Sequence, residues 1–185
     1  MTLPHFDIQP VALEEILPLR TRVLRPAWSD GKTLRYAGDD APDACHFAAV
    51  VSGEAIACAT FVFEKTPEDV GQFLEGTDAV SSLPRKRESS QTPMDSRLRG
   101  NDKEGQGTSI RLRGMAVEPR FQKSGVGSVL LLYGLDAMRS LGANVVWCSA
   151  RTGVLPFYER HGFIVTGEAF DIPDAGPHRY AHRTL

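Results

Sequence analysis

The sequence contains few cysteines, no long apolar run and no excess of charge of either sign. Its three cysteines are an odd number, and Cys58 and Cys148 lie inside the apolar runs AIACATFVF and NVVWCSA, where a thiol usually serves as a small core residue. We therefore expect reduced thiols and a cytoplasmic setting rather than a disulfide framework. The stretch MTLPHFDIQP lacks the charged start and apolar block of an export signal, and no run reaches the roughly 18 apolar residues of a membrane span.

The balance of charge excludes a global electrostatic attraction to polyanions. The formal net charge is −2 at pH 7, so nucleic acid or an anionic membrane would need a local basic patch. We expect neither as a partner, and we expect no metal. A chain of 185 residues is long enough for one ordinary domain and too short for two comfortable ones, so we expect a single domain over 1–185, as a monomer or a homodimer.

Hydrophobic spacing predicts a mixed α/β domain. FDIQPV alternates as a strand does, whereas LEEILPLRTRVL repeats apolar residues at helical spacings of three and four. The Gly- and Asp-rich stretch 27–44 is predicted to be a loop or a short irregular helix, and HFAAVV with AIACATFVFEK to be a hairpin. Four further strands are predicted in IRLRGMAVEP, NVVWCSA, FIVTGEAFD and HRYAHRTL, with one helix from Ser124 and a second in GVLPFYERHG.

Residues 80–105 break this pattern. The stretch VSSLPRKRESSQTPMDSRLRGNDKEG has almost no apolar periodicity and too little apolar surface to offset the entropy of ordering, which predicts a disordered insertion or a protruding loop. Its basic residues could contact nucleic acid, but acidic residues are interspersed and no aromatic is present for stacking. The segment also resembles translated palindromic repeats of some bacterial genomes, and such an insertion is tolerated at a loop tip. The candidate residues for such a contact are Arg85, Lys86, Arg87, Arg97 and Arg99.

The stretch QKSGVG joins a predicted strand to a predicted helix and has the features of an anion site. The first N–H groups of a helix lack intrahelical partners and lie at the positive end of its dipole. Gly125 and Gly127 would let phosphate oxygens approach the backbone, and Lys123 or Ser124 could add a donor. The glycine patterns of NAD and ATP loops are both absent, so we expect another pyrophosphate.

Two motifs together resemble the GNAT superfamily of acyl-coenzyme A N-acyltransferases. RGMAVEPRFQKSGVGSVLL is similar to the family's [QR]-x-x-G-x-[GA] segment after the fourth strand, with matches at Gln122, Gly125 and Gly127. ARTGVLPFYERHGF resembles the family's A-x-x-F-Y-x-x-x-G-F segment after the fifth strand. The matching residues there are Phe157, Tyr158, Gly162 and Phe163. Each motif is weak alone, but their order and spacing are specific.

The resemblance implies a mostly antiparallel sheet with splayed central strands flanked by helices, and an acetyl-coenzyme A cosubstrate. It implies that an acetyl group moves to a primary amine of a small molecule or peptide. The alternative is an acyl-coenzyme A-binding domain without catalysis, used for sensing or assembly. The backbone of Met115, Ala116 and Val117 is expected along the pantetheine arm. The pyrophosphate is expected at Gln122, Lys123, Ser124, Gly125, Val126, Gly127 and Ser128.

Tyr158 occupies the position of the family tyrosine that protonates the departing thiolate, and its alternative role is packing in the core. Arg151 could meet a carboxylate or phosphate, or simply be solvated. No acid lies in the stretch Ile110–Arg113, where some relatives have a glutamate, so the general base stays unassigned. The open candidates are Glu64, His46, Asp171 and His178. The acceptor is not identified either, although Trp28 and Tyr36 are candidates for lining its pocket.

Overall fold

The computed structural model describes residues 5–28, 31–75 and 108–185, and seven strands and four α-helices are found within these ranges. The predicted insertion at 80–105 lies outside the described residues. Within the described ranges, no helix is both long and apolar enough to cross a bilayer.

The strands are β1 (Asp7–Pro10), β2 (Cys45–Val51), β3 (Glu54–Phe63), β4 (Ser109–Val117), β5 (Val145–Arg151), β6 (Ile164–Ile172) and β7 (Gly176–Thr184). The helices are α1 (Leu13–Leu24), α2 (Glu68–Glu75), α3 (Val126–Ser140) and α4 (Leu155–Arg160).

One seven-stranded sheet organises the described residues, in the order β1-β2-β3-β4-β5-β7-β6. Every neighbouring pair is antiparallel except β4 and β5, which are parallel. The sheet separates two hydrophobic clusters. The cluster between the sheet and α3 includes the fully buried side chains of Phe61, Leu130 and Val146. The cluster between the sheet and α1 includes Ile16, which is fully buried, and Leu19, which is almost fully buried.

The sheet splays between β4 and β5, which are the one parallel pair among the described strands. Pairing between β4 and β5 is confined to Ser109–Arg111 and Val145–Trp147, although both strands continue beyond it. On its other edge β4 stays paired with β3 as far as Val117, with a register shift between Cys58 and Thr60 that leaves one extra residue on β4. A bulge of this kind bends a strand. Among the described strands, the second half of β4 therefore has a partner on one edge only.

Every element predicted from the sequence is present, and α2 is an additional one. Eight residues with a glycine, Gly71, in the interior make a weak helical signal, because glycine lowers helix propensity. The helix packs against β6 and β7 and buries Val70 completely, so tertiary contact stabilises what local sequence does not specify.

Candidate active site

A cavity of about 860 Å³ opens where β4 and β5 separate. Its walls are Arg111–Val117 of β4 and Cys148–Arg151 of β5. The glycine-rich loop before α3 lies at one side, and the end of α1 lies at another. The remaining lining residues are Val23, Leu24, Arg25, Tyr36, Phe121, Gln122, Lys123, Gly125, Gly127, Ser128, Gly153, Val154, Pro156, Phe157, Tyr158, Arg160, Ile172 and His178.

The loop before α3 has the backbone geometry that its sequence suggests. Lys123 and Gly125 both have positive φ, at 60° and 94°, and a Cβ added at Gly125 would meet nothing within 4 Å. Gly127 has a different role, because a Cβ there would lie 3.3 Å from Cγ2 of Val117. Gly125 thus keeps the approach to the helix N-terminus open, and Gly127 lets α3 pack closely on β4. An exposed helix N-terminus of this kind attracts anions.

The structure brings the residues predicted at the cosubstrate site to this cavity, all except Ser124 and Val126. The Ser124 hydroxyl donates a hydrogen bond to the carbonyl of Phe121, with 2.5 Å between the oxygens, and the side chain of Val126 is fully buried in the core. Gln122 also braces the loop, since its Nε2 donates to the carbonyl oxygen of Val117 at 3.1 Å. Ser124 and Val126 therefore shape the loop, Gln122 both shapes the loop and lines the cavity, and the remaining predicted residues line the open space.

Tyr158 lies on α4, belongs to the hydrophobic core and also lines the cavity. The ring packs edge-on against Phe157 and Phe163, and the side chain is 8% exposed. Among the described residues, the hydroxyl has only a weak acceptor, Sδ of Met115 at 3.7 Å. Burial, and to a lesser extent Cys148, raises the pKa of Tyr158 well above its ordinary value, so the phenol keeps its proton across the physiological range.

Two of the four candidate bases are engaged elsewhere. His46 uses both ring nitrogens, Nδ1 with Thr60 Oγ1 at 2.8 Å and Nε2 with the carbonyl oxygen of Asp39 at 3.1 Å. Glu64 forms an ion pair with Arg111 at 2.9 Å and does not line the cavity.

Of the other two candidates, Asp171 is exposed and does not line the cavity, whereas His178 is buried and does. The Nδ1 atom of His178 lies 2.7 Å from the carbonyl oxygen of Gly176, which can only accept, so Nδ1 carries the proton. The neutral ring then has its lone pair on Nε2, for which the described residues provide no hydrogen-bond partner. Burial lowers the pKa of His178, which favours this neutral form.

Arg25, Arg111 and Arg113 line the cavity, although none of them was predicted as a site residue. Alternation along β4 places Arg111 and Arg113 on one face, and this signal was readable from IRLRGMAV. Arg25 could not be found this way, because it follows the end of α1 and reaches the cavity only through the packing of that helix on β4. Tyr36 lines the cavity as suggested, whereas Trp28 does not.

The comparisons with known proteins agree on one family. The model of the acetyltransferase (GNAT) family matches residues 13–163. The uncharacterized N-acetyltransferase YitI of Bacillus subtilis (strain 168) is 27% identical over 179 residues, which are 97% of this chain and 96% of that protein.

Two solved structures share the fold. An acyl-CoA N-acyltransferase from Pseudomonas aeruginosa is 18% identical, with a TM-score of 0.60 over 97% of this chain and 99% of its own. The ribosomal-protein-S18-alanine N-acetyltransferase from Escherichia coli is 13% identical, with a TM-score of 0.59 over 98% of this chain and 94% of its own.

Proposed function

Because the chain belongs to the acetyltransferase (GNAT) family, we propose that it transfers the acetyl group of acetyl-coenzyme A to a primary amine of a small molecule or peptide. As a member of this family, the chain is an acyltransferase that uses an acyl-coenzyme A cosubstrate and an amine acceptor. Acetyl as the acyl group, one catalytic domain over 1–185 and a cytoplasmic location are parts of the proposal. The three unpaired thiols support the last of these.

The splay between β4 and β5 is the observation that carries the proposal. Beyond Arg111 the β5-facing edge of β4 has no partner among the strands that the structure describes, so backbone groups there can pair with an extended ligand as a strand would. We assign this role to Met115, Ala116 and Val117. The pantetheine arm has peptide-like amides and suits such an edge.

The loop 122–128 is proposed to hold the pyrophosphate. Three features of the loop favour binding of an anion. These are the open space at Gly125, the N–H groups at the N-terminus of α3 and the positive charge of Lys123. The Ser124 hydroxyl and the Val126 side chain support the loop from behind. We assign the loop as the anchor of the phosphate end of the cosubstrate, with the reacting end between the strands.

Residues of the chain stabilise the charge that develops during transfer and donate a proton to the leaving group. When bound, the cosubstrate supplies a thioester; during transfer a C–N bond forms and the C–S bond breaks. Backbone N–H groups on the free edge of β4 stabilise the negative charge that develops on the carbonyl oxygen. Tyr158 gives its proton to the departing sulfur. Its high pKa is matched to the site, because the same apolar surroundings raise the proton affinity of a thiolate.

We assign His178 as the base that accepts the proton from the attacking amine. Of the four candidates it alone lines the cavity, and the bond from Nδ1 to Gly176 leaves Nε2 as the acceptor. The alternative roles remain those of a water-mediated relay or of a packed histidine. A pH profile separates them, as described in the Discussion.

The proposal is tested by incubating the purified chain with acetyl-coenzyme A and pooled primary amines. Release of free thiol together with an acceptor heavier by one acetyl group is the expected result. Calorimetry with coenzyme A runs in parallel. Tight binding without transfer to any amine would instead indicate the non-catalytic acyl-coenzyme A-binding domain, which no comparison favours. Absence of both binding and transfer would overturn the proposal as a whole.

A further inference from the structure

The lining of the cavity is strongly one-sided in charge. Among the described residues, those that line it include no aspartate or glutamate. The cationic side chains that line it are Arg25, Arg111, Arg113, Lys123, Arg151 and Arg160. Since the chain as a whole has a net charge of −2, this concentration is a local feature of the cavity rather than a reflection of composition.

Three of these arginines, Arg25, Arg151 and Arg160, have no carboxylate partner within the described residues. Arg151 Nη2 donates to the carbonyl oxygen of Leu24 at 2.7 Å, and Arg25 Nη1 donates to the same oxygen at 2.9 Å. The Nε atom of Arg25 is buried and has no hydrogen-bond partner there. Arg111 and Arg113 differ, because both contact Glu64. At the end of α1, the unneutralised charge is therefore that of Arg25 and Arg151, whereas Arg160 lies on α4.

Tyr36 completes a cluster of donors with these two arginines. Its side chain lines the same cavity as both guanidinium groups, and its hydroxyl makes no hydrogen bond within the described residues. Its ring lies against Arg20 and Arg113, whose Cζ atoms are 5.5 and 5.6 Å from the ring centroid. A fixed phenol beside two fork-shaped guanidinium groups is well suited to a carboxylate.

This cluster lies on the sheet face opposite the glycine-rich loop. On β5, the side chains of Cys148 and Ala150 belong to the hydrophobic cluster beneath α3. Because strand side chains alternate, Arg151 faces the other side, in agreement with its hydrogen bond to Leu24 at the end of α1. The phosphates of the cosubstrate are assigned to the N-terminus of α3. An anion at Arg25 and Arg151 then belongs to the second substrate.

We propose that the acceptor is a small amine that carries a carboxylate, as a free amino acid does, and that Arg25, Arg151 and Tyr36 bind this carboxylate. The inference rests on the proposed acetyl transfer. The same positive field disfavours a protonated amine near the thioester, so it promotes the neutral, nucleophilic form and discriminates against acceptors with additional cationic groups. His178 on β7 lies in this field, because it is the register partner of Arg151 on β5 and lines the same cavity.

The test compares matched acceptors on the full chain. Free L-amino acids, the corresponding L-amino-acid amides and a phosphate-bearing primary amine are assayed separately with acetyl-coenzyme A. We expect kcat/KM for at least one amino acid to exceed that for its amide by about 10-fold or more, as loss of a charged hydrogen-bond partner commonly costs. Equal rates on acids and amides would overturn the proposal, and so would a preference for the phosphate-bearing amine.

Variants identify the residues responsible. Arg25→Gln and Arg151→Gln should raise KM for the amino acid about 10-fold or more and abolish the preference over the amide, while the affinity for coenzyme A stays unchanged. Arg151→Lys keeps the charge without the fork and should show an intermediate KM. Arg139→Gln, at the exposed end of α3 and outside the cavity, is the matched control. Unchanged discrimination in folded Arg25→Gln and Arg151→Gln variants would overturn the assignment.

A binding assay separates this inference from the proposed acetyl transfer. Pools of N-acetyl-L-amino acids and of their amides are titrated against the chain saturated with coenzyme A. Binding of the acids that is lost in Arg25→Gln and Arg151→Gln supports the carboxylate site even if no amine is acetylated. If acetylation proceeds but acids and amides bind alike, the acetyl transfer stands and the carboxylate site is overturned.

Discussion

The guanidinium group of Arg20 and the carboxylate of Asp39 form an ion pair in which neither side chain is exposed to solvent, with 2.6 Å between Nη1 and Oδ2. The same carboxylate oxygen accepts a hydrogen bond from the backbone N–H of Tyr36 at 2.9 Å, and the other end of the guanidinium donates to the hydroxyl of Thr60. The pair therefore ties α1 and β3 to the loop that places Tyr36 at the cavity.

Removal of the Asp39 charge should destabilise the fold strongly. Asp39→Asn leaves Arg20 buried without its counter-charge, and breaking a buried pair from one side costs about 3–5 kcal/mol. Urea denaturation measures the difference in the free energy of unfolding. Asp40→Asn is the control, because Asp40 pairs with Arg35 at the surface, where such pairs contribute little. Equal stability of the two variants would contradict the structural role of the buried pair.

Gly114 should tolerate no side chain. A Cβ there would lie 2.6 Å from Nε of Arg20, and the residue has a φ of +60°. Gly53 has a φ of +84° but nothing within 4 Å of an added Cβ, so Gly53→Ala measures backbone strain alone, about 1–2 kcal/mol. We expect Gly114→Ala to lower the midpoint of urea denaturation distinctly more than Gly53→Ala. A similar shift in the two variants would show that the contact with Arg20 can relax.

Negative charge at Gly125 should weaken binding of coenzyme A. Gly125→Asp places a carboxylate at the N-terminus of α3, where we assign the pyrophosphate, and should raise Kd well over the tenfold that corresponds to about 1.4 kcal/mol. Gly125→Asn is nearly isosteric and also tolerates positive φ, so it should retain more affinity. Calorimetry on both folded variants gives the comparison. Equal affinities for coenzyme A would remove the phosphate assignment.

Loss of the Tyr158 hydroxyl should affect turnover rather than binding. Tyr158→Phe keeps the packed ring and removes the donor, so kcat should fall about 10²- to 10⁴-fold if the phenol protonates the thiolate. The weak contact with Met115 limits any loss of stability to about 1 kcal/mol. Tyr133→Phe, on the exposed side of α3, serves as the control. A Tyr158→Phe variant that turns over at the parent rate would leave Tyr158 a core residue.

The pH dependence should identify His178. Because burial lowers its pKa below the ordinary value of about 6.5, a neutral base persists at lower pH, and the acid limb of kcat/KM should lie below that value. His178→Gln should lower kcat and remove this limb. His182→Gln tests specificity, since burial also lowers the pKa of His182 but its ring does not line the cavity. An unchanged profile in His178→Gln would exclude it as the base.

The buried histidines should also make the free energy of unfolding depend on pH. A histidine whose pKa is lower in the folded than in the unfolded chain contributes stability that is full above about pH 6.5 and is lost as the pH falls through the lowered pKa. His46, His178 and His182 all shift in this direction through burial. His178→Gln and His182→Gln should therefore each reduce the loss of unfolding free energy that is measured as the pH falls from 7 to 5.

The order of the elements could be predicted from sequence because their signals are local. The predicted bounds of α1 match the structure, and the Pro156 expected within the first turn of α4 lies there. The loop before α3 could also be predicted from local sequence, because Gly125 and Gly127 lie between a predicted strand and a predicted helix. Helix α2 could not be predicted, because its stability comes from contact with β6 and β7 rather than from its own residues.

The cosubstrate side of the candidate active site could be predicted as a unit, because its motif residues lie close together along the chain. On the proposed acceptor side, Tyr36, Arg151 and His178 were separate candidates and Arg25 was not predicted. Arg25 and Tyr36 lie between α1 and β2, Arg151 ends β5, and His178 lies on β7. The sequence determined which residues form strands, helices and the glycine loop, through periodicity and backbone preference. Only the tertiary structure decided which charges share the cavity, because the bulge and splay of β4 open a space whose lining depends on packing between residues more than a hundred positions apart.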